Sequence, residues 1–338
     1  MVTDLAAPPR SVPALLAALP STVGVLVALV VAIVQFAQID GGQTKKLTGL
    51  DAFLGLPNVA VSVILFSLLL TFFLGVAAGA RYGRTLWIAA VAVAAIGTVY
   101  EVIALITNFA PATIVLLLAA AAALLFTILG ARANGAGDGL PQVALADRPK
   151  IFGAVLVIAG LAGLTAAYNL SLDKVTVILS PGATLNCNVS ILVECGKNLG
   201  SWQGSLFGFP NPLIGLGGFS VVLLVGIAVL SGVRYPRWWW VAFSIGVMGA
   251  FAFITFLIIS SVYVINTLCL WCALVWTVTI PTFWLTTTYN LKNGNLRVSA
   301  RATRFFSGAY TWVPLVTLVC YFVIFLIYEV HLNLLARL

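Results

Sequence analysis

SVYVINTLCLWCALVWTVTIPTFW, residues 261–284, decides how this chain is read. One long apolar run ends inside it, another begins, and Cys269 and Cys272 stand at the junction as C-L-W-C. Cysteines three apart share one face of a helix, and Asn266 or Thr267 just upstream is expected to cap that helix. A helix N-terminus favours a thiolate, so the position predicts reactive sulfur. A CxxC is also half of a zinc site. The balance tips toward redox chemistry because a second pair, Cys187 and Cys195 with seven residues between them, precedes it in a polar stretch. Two pairs that meet can pass two electrons through a mixed disulfide. The wide spacing of the first pair does not suit a zinc knuckle, and no metal is expected.

Outward from this junction the chain is apolar almost throughout. Hydrophobic residues fill 62% of its 338 positions and charged ones 8%, which excludes an ordinary soluble domain. Runs long enough to cross a bilayer fall at roughly 21–39, 57–79, 86–107, 111–131, 151–170, 213–233, 239–265, 268–288 and 310–328. The expected fold is an all-α integral membrane protein of about nine transmembrane helices. Three residues stand out within it. Glu101 lies in the third run, where a carboxylate is costly and often functional; it either snorkels outward, pairs with Lys45 or Lys46, or has a role of its own. Cys320, mid-run in the last span, is expected to be an inert buried thiol. His331, the single histidine, is expected at the exposed outer edge of that span.

The formal charge of +8 reports topology and not a nucleic-acid partner. With the N-terminus in the cytoplasm, twelve of the 17 Lys and Arg fall in inner segments, and only Lys45, Lys46, Lys174, Lys197 and Arg337 in outer ones. That asymmetry follows the positive-inside rule. It puts residues 171–212 and the C-L-W-C on the non-cytoplasmic face, where disulfides persist. The location expected is the plasma membrane, multi-pass, in contact with membrane lipid, with the active site extracytoplasmic. Residues 1–20 read as a short cytoplasmic tail leading into a retained anchor, not a cleaved signal.

A Gly- and Ala-rich stretch, ARANGAGDGLPQVALADRPK at 131–150, marks a cytoplasmic linker. It divides the chain into a four-span unit (1–135) without cysteine, a linker (136–150) and a bundle (151–338) that holds every cysteine. The loop 171–212 alternates apolar pieces such as 175–179 with the turn Ser180-Pro181-Gly182, and ends in WQGSLFGFPNPLIG (202–215). Its aromatics suit the membrane interface, and the loop is expected to fold down as a cap.

Four stretches carry a resemblance: CNVSILVECGKNLGS at 187–201, LFGFPNPLIGLGGFS at 206–220, C-L-W-C at 269–272 and VWTVTIPTFW at 275–284. In these the chain resembles the vitamin K epoxide reductase (VKOR) family, and most of all its bacterial quinone-reducing members. The order, loop pair first and CxxC second, is the family's. The resemblance implies that Cys269 and Cys272 form the redox centre beside a quinone, menaquinone or ubiquinone, with Cys272 nearest the ring. It implies that Cys187 exchanges disulfides with a thioredoxin-like (DsbA-like) exported protein and that Cys195 hands electrons to Cys269. Ser201 matches a position whose hydroxyl bonds near the active site. Phe207, Phe209 and Trp271 are candidate apolar walls for the ring and Asn211 a polar contact, with packing at the membrane interface the other reading of each. Two departures are that many relatives have a proline near Ile191, and that many continue into a thioredoxin-like domain where about ten residues follow the last span here. The partner is therefore expected to be a separate protein. The function expected is a quinone-dependent thiol–disulfide oxidoreductase supporting disulfide formation in exported proteins. The alternatives are reduction of vitamin K epoxide itself, or a non-enzymatic membrane subunit whose cysteines form structural bridges.

Overall fold

In hydrocarbon every backbone N–H and C=O must find its partner within the chain, so apolar runs become helices. The computed structural model describes residues 12–40, 52–53, 56–107, 110–133, 143–144, 146–180, 183–185, 187–190, 192–296, 298–299, 305 and 308–337. Four long helices precede the linker: α1 (Val12–Asp40), α2 (Asn58–Ala77), α3 (Arg84–Thr107) and α4 (Pro111–Ala133). A two-residue antiparallel ladder, β1 (Ala52–Phe53) with β2 (Leu56–Pro57), leads into α2. After the linker come α5 (Lys150–Leu179), the short α6 (Gly196–Gly200), α7 (Pro212–Leu230), α8 (Arg237–Ser260), α9 (Leu270–Lys292), α10 (Val313–Leu332) and a last turn, α11 (Leu334–Arg337). Among the described residues nine helices are long and apolar enough to cross a membrane, and the chain is an all-α, multi-pass membrane protein.

Two boundaries differ from expectation. α1 begins at Val12 and keeps Pro20 within it. α5 runs on to Leu179, so residues 171–179 are helix and not the start of a loop. The β-branched pieces in that stretch weaken a helix by a fraction of a kcal/mol each, about 0.5. Losing backbone hydrogen bonds at the edge of the bilayer would cost more, and the helix wins.

The chain divides into two compact units: residues 1–157 with 216–239, and residues 158–215 with 240–338. In the first unit α1 packs on α2 and α4, and α3 on α4 and α2. A Cβ at Gly24 would overlap the Phe66 ring, and one at Gly130 the Trp87 ring, so small residues let these helices close. Arg148 donates to the carbonyls of Leu230 (3.0 Å) and Val143 (3.2 Å), which ties the end of the linker to the turn after α7. Most of the linker, 134–142 and 145, lies outside the described residues.

Glu101 is fully buried, and its Oε1 accepts a 2.6 Å hydrogen bond from Ser62 Oγ on α2. This corrects the reading of an outward snorkel: a carboxyl within hydrocarbon turns to an internal donor when one is in reach. Lys45 and Lys46 lie outside the described residues. In the second unit Cys320 is half-buried against an aromatic and aliphatic cluster that includes Trp276 and Tyr328. His331 is exposed, with Nε2 3.2 Å from Asn266 Oδ1.

Candidate redox site

The site lies in the second unit, where the end of α5, the loop after it and the start of α9 come together. α9 begins where it does because Cys269 is its own cap. The residue has extended backbone (φ −94°, ψ 120°), and its sulfur accepts the Cys272 N–H at 3.3 Å. The expectation that Asn266 or Thr267 caps the helix is thereby corrected. Both are used one step earlier. Asn266 takes the left-handed conformation (φ 58°) that ends the π-helical turn Ser261–Ile265. Thr267 is fully buried and receives Asn198 Nδ2 on its hydroxyl at 2.7 Å, while its carbonyl receives Ser261 Oγ.

On the loop side Cys187 and Cys195 are joined in a disulfide. The residues between them fold on themselves: Val189 N–H donates to Val193 O at 2.8 Å, and Asn188 Oδ1 accepts the Cys195 N–H at 3.1 Å. Cys195 is also the N-cap of α6. One parallel rung, Val193 beside Leu268, with Leu268 N–H donating to Leu192 O at 2.7 Å, lays this loop on the approach to α9. Cys195 follows Val193 by two positions and Cys269 follows Leu268 by one, and their sulfurs meet at 3.2 Å. Both are fully buried. The four sulfurs thus form a series: Cys187 bonded to Cys195, Cys195 touching Cys269, and Cys269 one helical turn from Cys272. Cys269 and Cys272 are free thiols, so the arrangement has an oxidised loop pair facing a reduced CxxC.

Cys187 is only 3% exposed, although its neighbour Val189 is open to the outside. Ser201 makes no contact with sulfur; it donates to Asn198 O (2.7 Å) and accepts the Gly204 N–H (3.3 Å), capping the 3₁₀ turn Trp202–Ser205. Asn211 is engaged within the same loop, donating to Gln203 O at 2.6 Å and accepting Leu206 N–H at 3.1 Å. Phe207 packs against Phe209 and Phe253 and is largely exposed. Trp271, half-buried, lies against the cysteine cluster. A cavity of about 190 Å³ opens on the other side of the helix start, lined by Leu268, Ala273, Trp276, Tyr321, Tyr328 and other residues of α9 and α10.

Two residues at this site escaped the sequence reading. Asp173 and Lys174, adjacent near the end of α5, are both buried. Lys174 Nζ donates to Leu199 O at 2.7 Å, fastening α6, and Asp173 Oδ2 lies 3.3 Å from Cys187 Sγ. The carboxyl and the sulfurs of Cys187 and Cys195 fall within 4.8 Å of one another. With those sulfurs bonded to each other, the pair has no thiolate to offer a metal in this oxidation state. The signal available in the sequence was an acid–base pair interrupting an apolar run. In a chain this apolar, such a pair reads locally as the start of a polar loop.

The family model described as "Vitamin K epoxide reductase family" matches residues 154–287. No curated protein and no solved structure matches the chain. The matched segment contains both cysteine pairs, the rung that joins them and the helix that Cys269 caps. Residues 154–287 are therefore a domain of the vitamin K epoxide reductase family, an oxidoreductase domain built into a longer multi-pass membrane chain.

Proposed function

We propose that this protein oxidises the dithiol of a separate thioredoxin-like (DsbA-like) exported protein and delivers the electrons to a membrane quinone, menaquinone or ubiquinone, on the extracytoplasmic face of the plasma membrane. The observation that carries the reading is the 3.2 Å contact between Cys195 and Cys269. It is the distance at which one sulfur attacks another without rearrangement of the bundle. A structural pair of bridges would not need a free, buried thiol against one of its disulfides.

The steps follow the order of the sulfurs. A partner thiolate attacks Cys187, forming a mixed disulfide and releasing Cys195 with the electron pair. Cys195 attacks Cys269 of an oxidised Cys269–Cys272 bond, releasing Cys272. The partner's second thiol closes its own disulfide and frees Cys187. Cys187 then attacks Cys195, and Cys269 departs as a thiolate. The dithiol of Cys269 and Cys272 closes again by giving two electrons and two protons to the quinone. The protein's share is to orient the ring and keep water away. Trp271, Phe207 and Phe209, the walls expected from the sequence, do not line the cavity beside the helix start; its own Trp276, Tyr321 and Tyr328 are the proposed apolar walls. The cavity between α9 and α10 begins at Ala273, the residue after Cys272. At about 190 Å³ it is smaller than sites for whole drug-sized ligands, roughly 300–1,000 Å³, and suits a ring without its tail. Asn211, committed within the loop, is left out of the proposal.

The test is quinone reduction by the reduced partner with Cys269→Ala and Cys272→Ala proteins. Each is expected to lose turnover entirely. Full activity in either variant ends the reading.

A further inference from the structure

A charged residue buried at a membrane helix is expensive unless something answers it. On α5 the neighbours Asp173 and Lys174 are both buried, yet they are answered differently. Lys174 reaches the Leu199 carbonyl at 2.7 Å, a contact that holds the loop. Asp173 points its Oδ2 at the sulfur of Cys187, 3.3 Å away. Asn188, also beside that sulfur, has its amide oxygen at 3.9 Å and spends it on the Cys195 N–H. Among the described residues, Asp173 is thus a group next to Cys187 that can both take and give a proton.

From this juxtaposition we infer that Asp173 is a catalytic residue that carries the proton of Cys187. The inference rests on the relay proposed above and adds the acid–base step that relay lacks. When the partner's second thiol attacks the mixed disulfide, the bond to Cys187 breaks, Cys187 leaves with the electron pair, and the Asp173 carboxyl protonates it. When Cys187 next attacks Cys195, the Asp173 carboxylate takes that proton back. The Cys187–Cys195 bond forms, the Cys195–Cys269 bond breaks and Cys269 leaves with the pair. Asp173 ends as it began, and the partner's electrons pass on unchanged in number. Without such a group, a thiolate in this dry pocket would have to be stabilised unaided.

The test uses the full-length protein, a reduced thioredoxin-fold protein as dithiol and a short-chain ubiquinone as acceptor. Rates are taken per reactive centre, by titrating the thiols of Cys269 and Cys272 in each sample, so a poorly folding variant is still scored. Turnover remaining in Cys187→Ala is subtracted as the bypass. Asp173→Asn keeps the shape and loses the proton, and its kcat is expected to fall about 100-fold, the scale of general acid–base catalysis. Asp173→Glu restores the carboxyl and is expected to stay within about tenfold of the natural protein. A role in packing alone reverses that order, because Asn fits the space better than Glu. Asp173→Asn within twofold of the natural protein, or Asp173→Glu slower than Asp173→Asn, overturns the assignment while leaving the relay intact. Natural protein that transfers no electrons from the dithiol to the quinone brings down the relay itself, and this inference with it.

Discussion

Cys269 uses one sulfur for two purposes. It accepts the Cys272 N–H that starts α9, and it faces Cys195 across a buried contact. The geometry makes a trapping experiment decisive at this scale. In a Cys187→Ala, Cys272→Ala double variant, Cys195 and Cys269 are each left without their usual partner, 3.2 Å apart. Mild oxidation is expected to join them in high yield, visible as a Cys195–Cys269 linked peptide by mass spectrometry; two free thiols after oxidation would contradict the contact. The pairs and their order could be read from spacing alone. What could not be read was which residue caps the helix, because Asn266 and Thr267 are better cap formers than cysteine. Their side chains turn out to be occupied by His331 and Asn198, which no local pattern announces. Asp173 was hidden for a similar reason: its meaning comes from a sulfur that lies 14 residues away in sequence and 3.3 Å away in space.

Among the elements, the loop after α5 is held down at three points: the Val193–Leu268 rung, Asn198 to Thr267, and Lys174 to Leu199. These fastenings lie on the α6 side, while the segment around Val189 rests mainly on hydrogen bonds of its own. Thr267→Val removes the acceptor for the Asn198 amide. It is expected to destabilise the loop by about 1–3 kcal/mol and to speed amide exchange at 195–200, measured by hydrogen–deuterium exchange, with little change in α9. Equal protection in the variant would mean the bond carries no weight. The sequence pointed to a folded cap over the site but placed its start too early. Residues 171–179 carry β-branched side chains and two charges, and those local signals outweighed the helix that tertiary packing completes.

For the molecule as a whole, the number and type of spans were legible because hydropathy alone forces helix formation in a bilayer. The inward turn of Glu101 toward Ser62 was not, since it depends on which helix lies beside α3. Orientation is the prediction that belongs here. Val189, 66% exposed on the loop, and Arg234, exposed in the turn between α7 and α8, fall on opposite faces if basic residues gather inside. A membrane-impermeant maleimide is expected to label Val189→Cys in intact cells, and Arg234→Cys only after permeabilisation. The reverse pattern would put both cysteine pairs in a reducing compartment and remove the premise of the proposed relay.

The rung between Val193 and Leu268 works as a ruler. One extra residue between Val193 and Cys195, or between Leu268 and Cys269, would shift a sulfur by about 3.3 Å along extended chain, doubling a gap that now measures 3.2 Å. The turn between the end of α5 and Leu185 passes through no such measure. Lengthening confined to that turn is expected to be tolerated, and lengthening downstream of the rung to silence the proposed relay, so spacing here is a chemical quantity as much as a structural one.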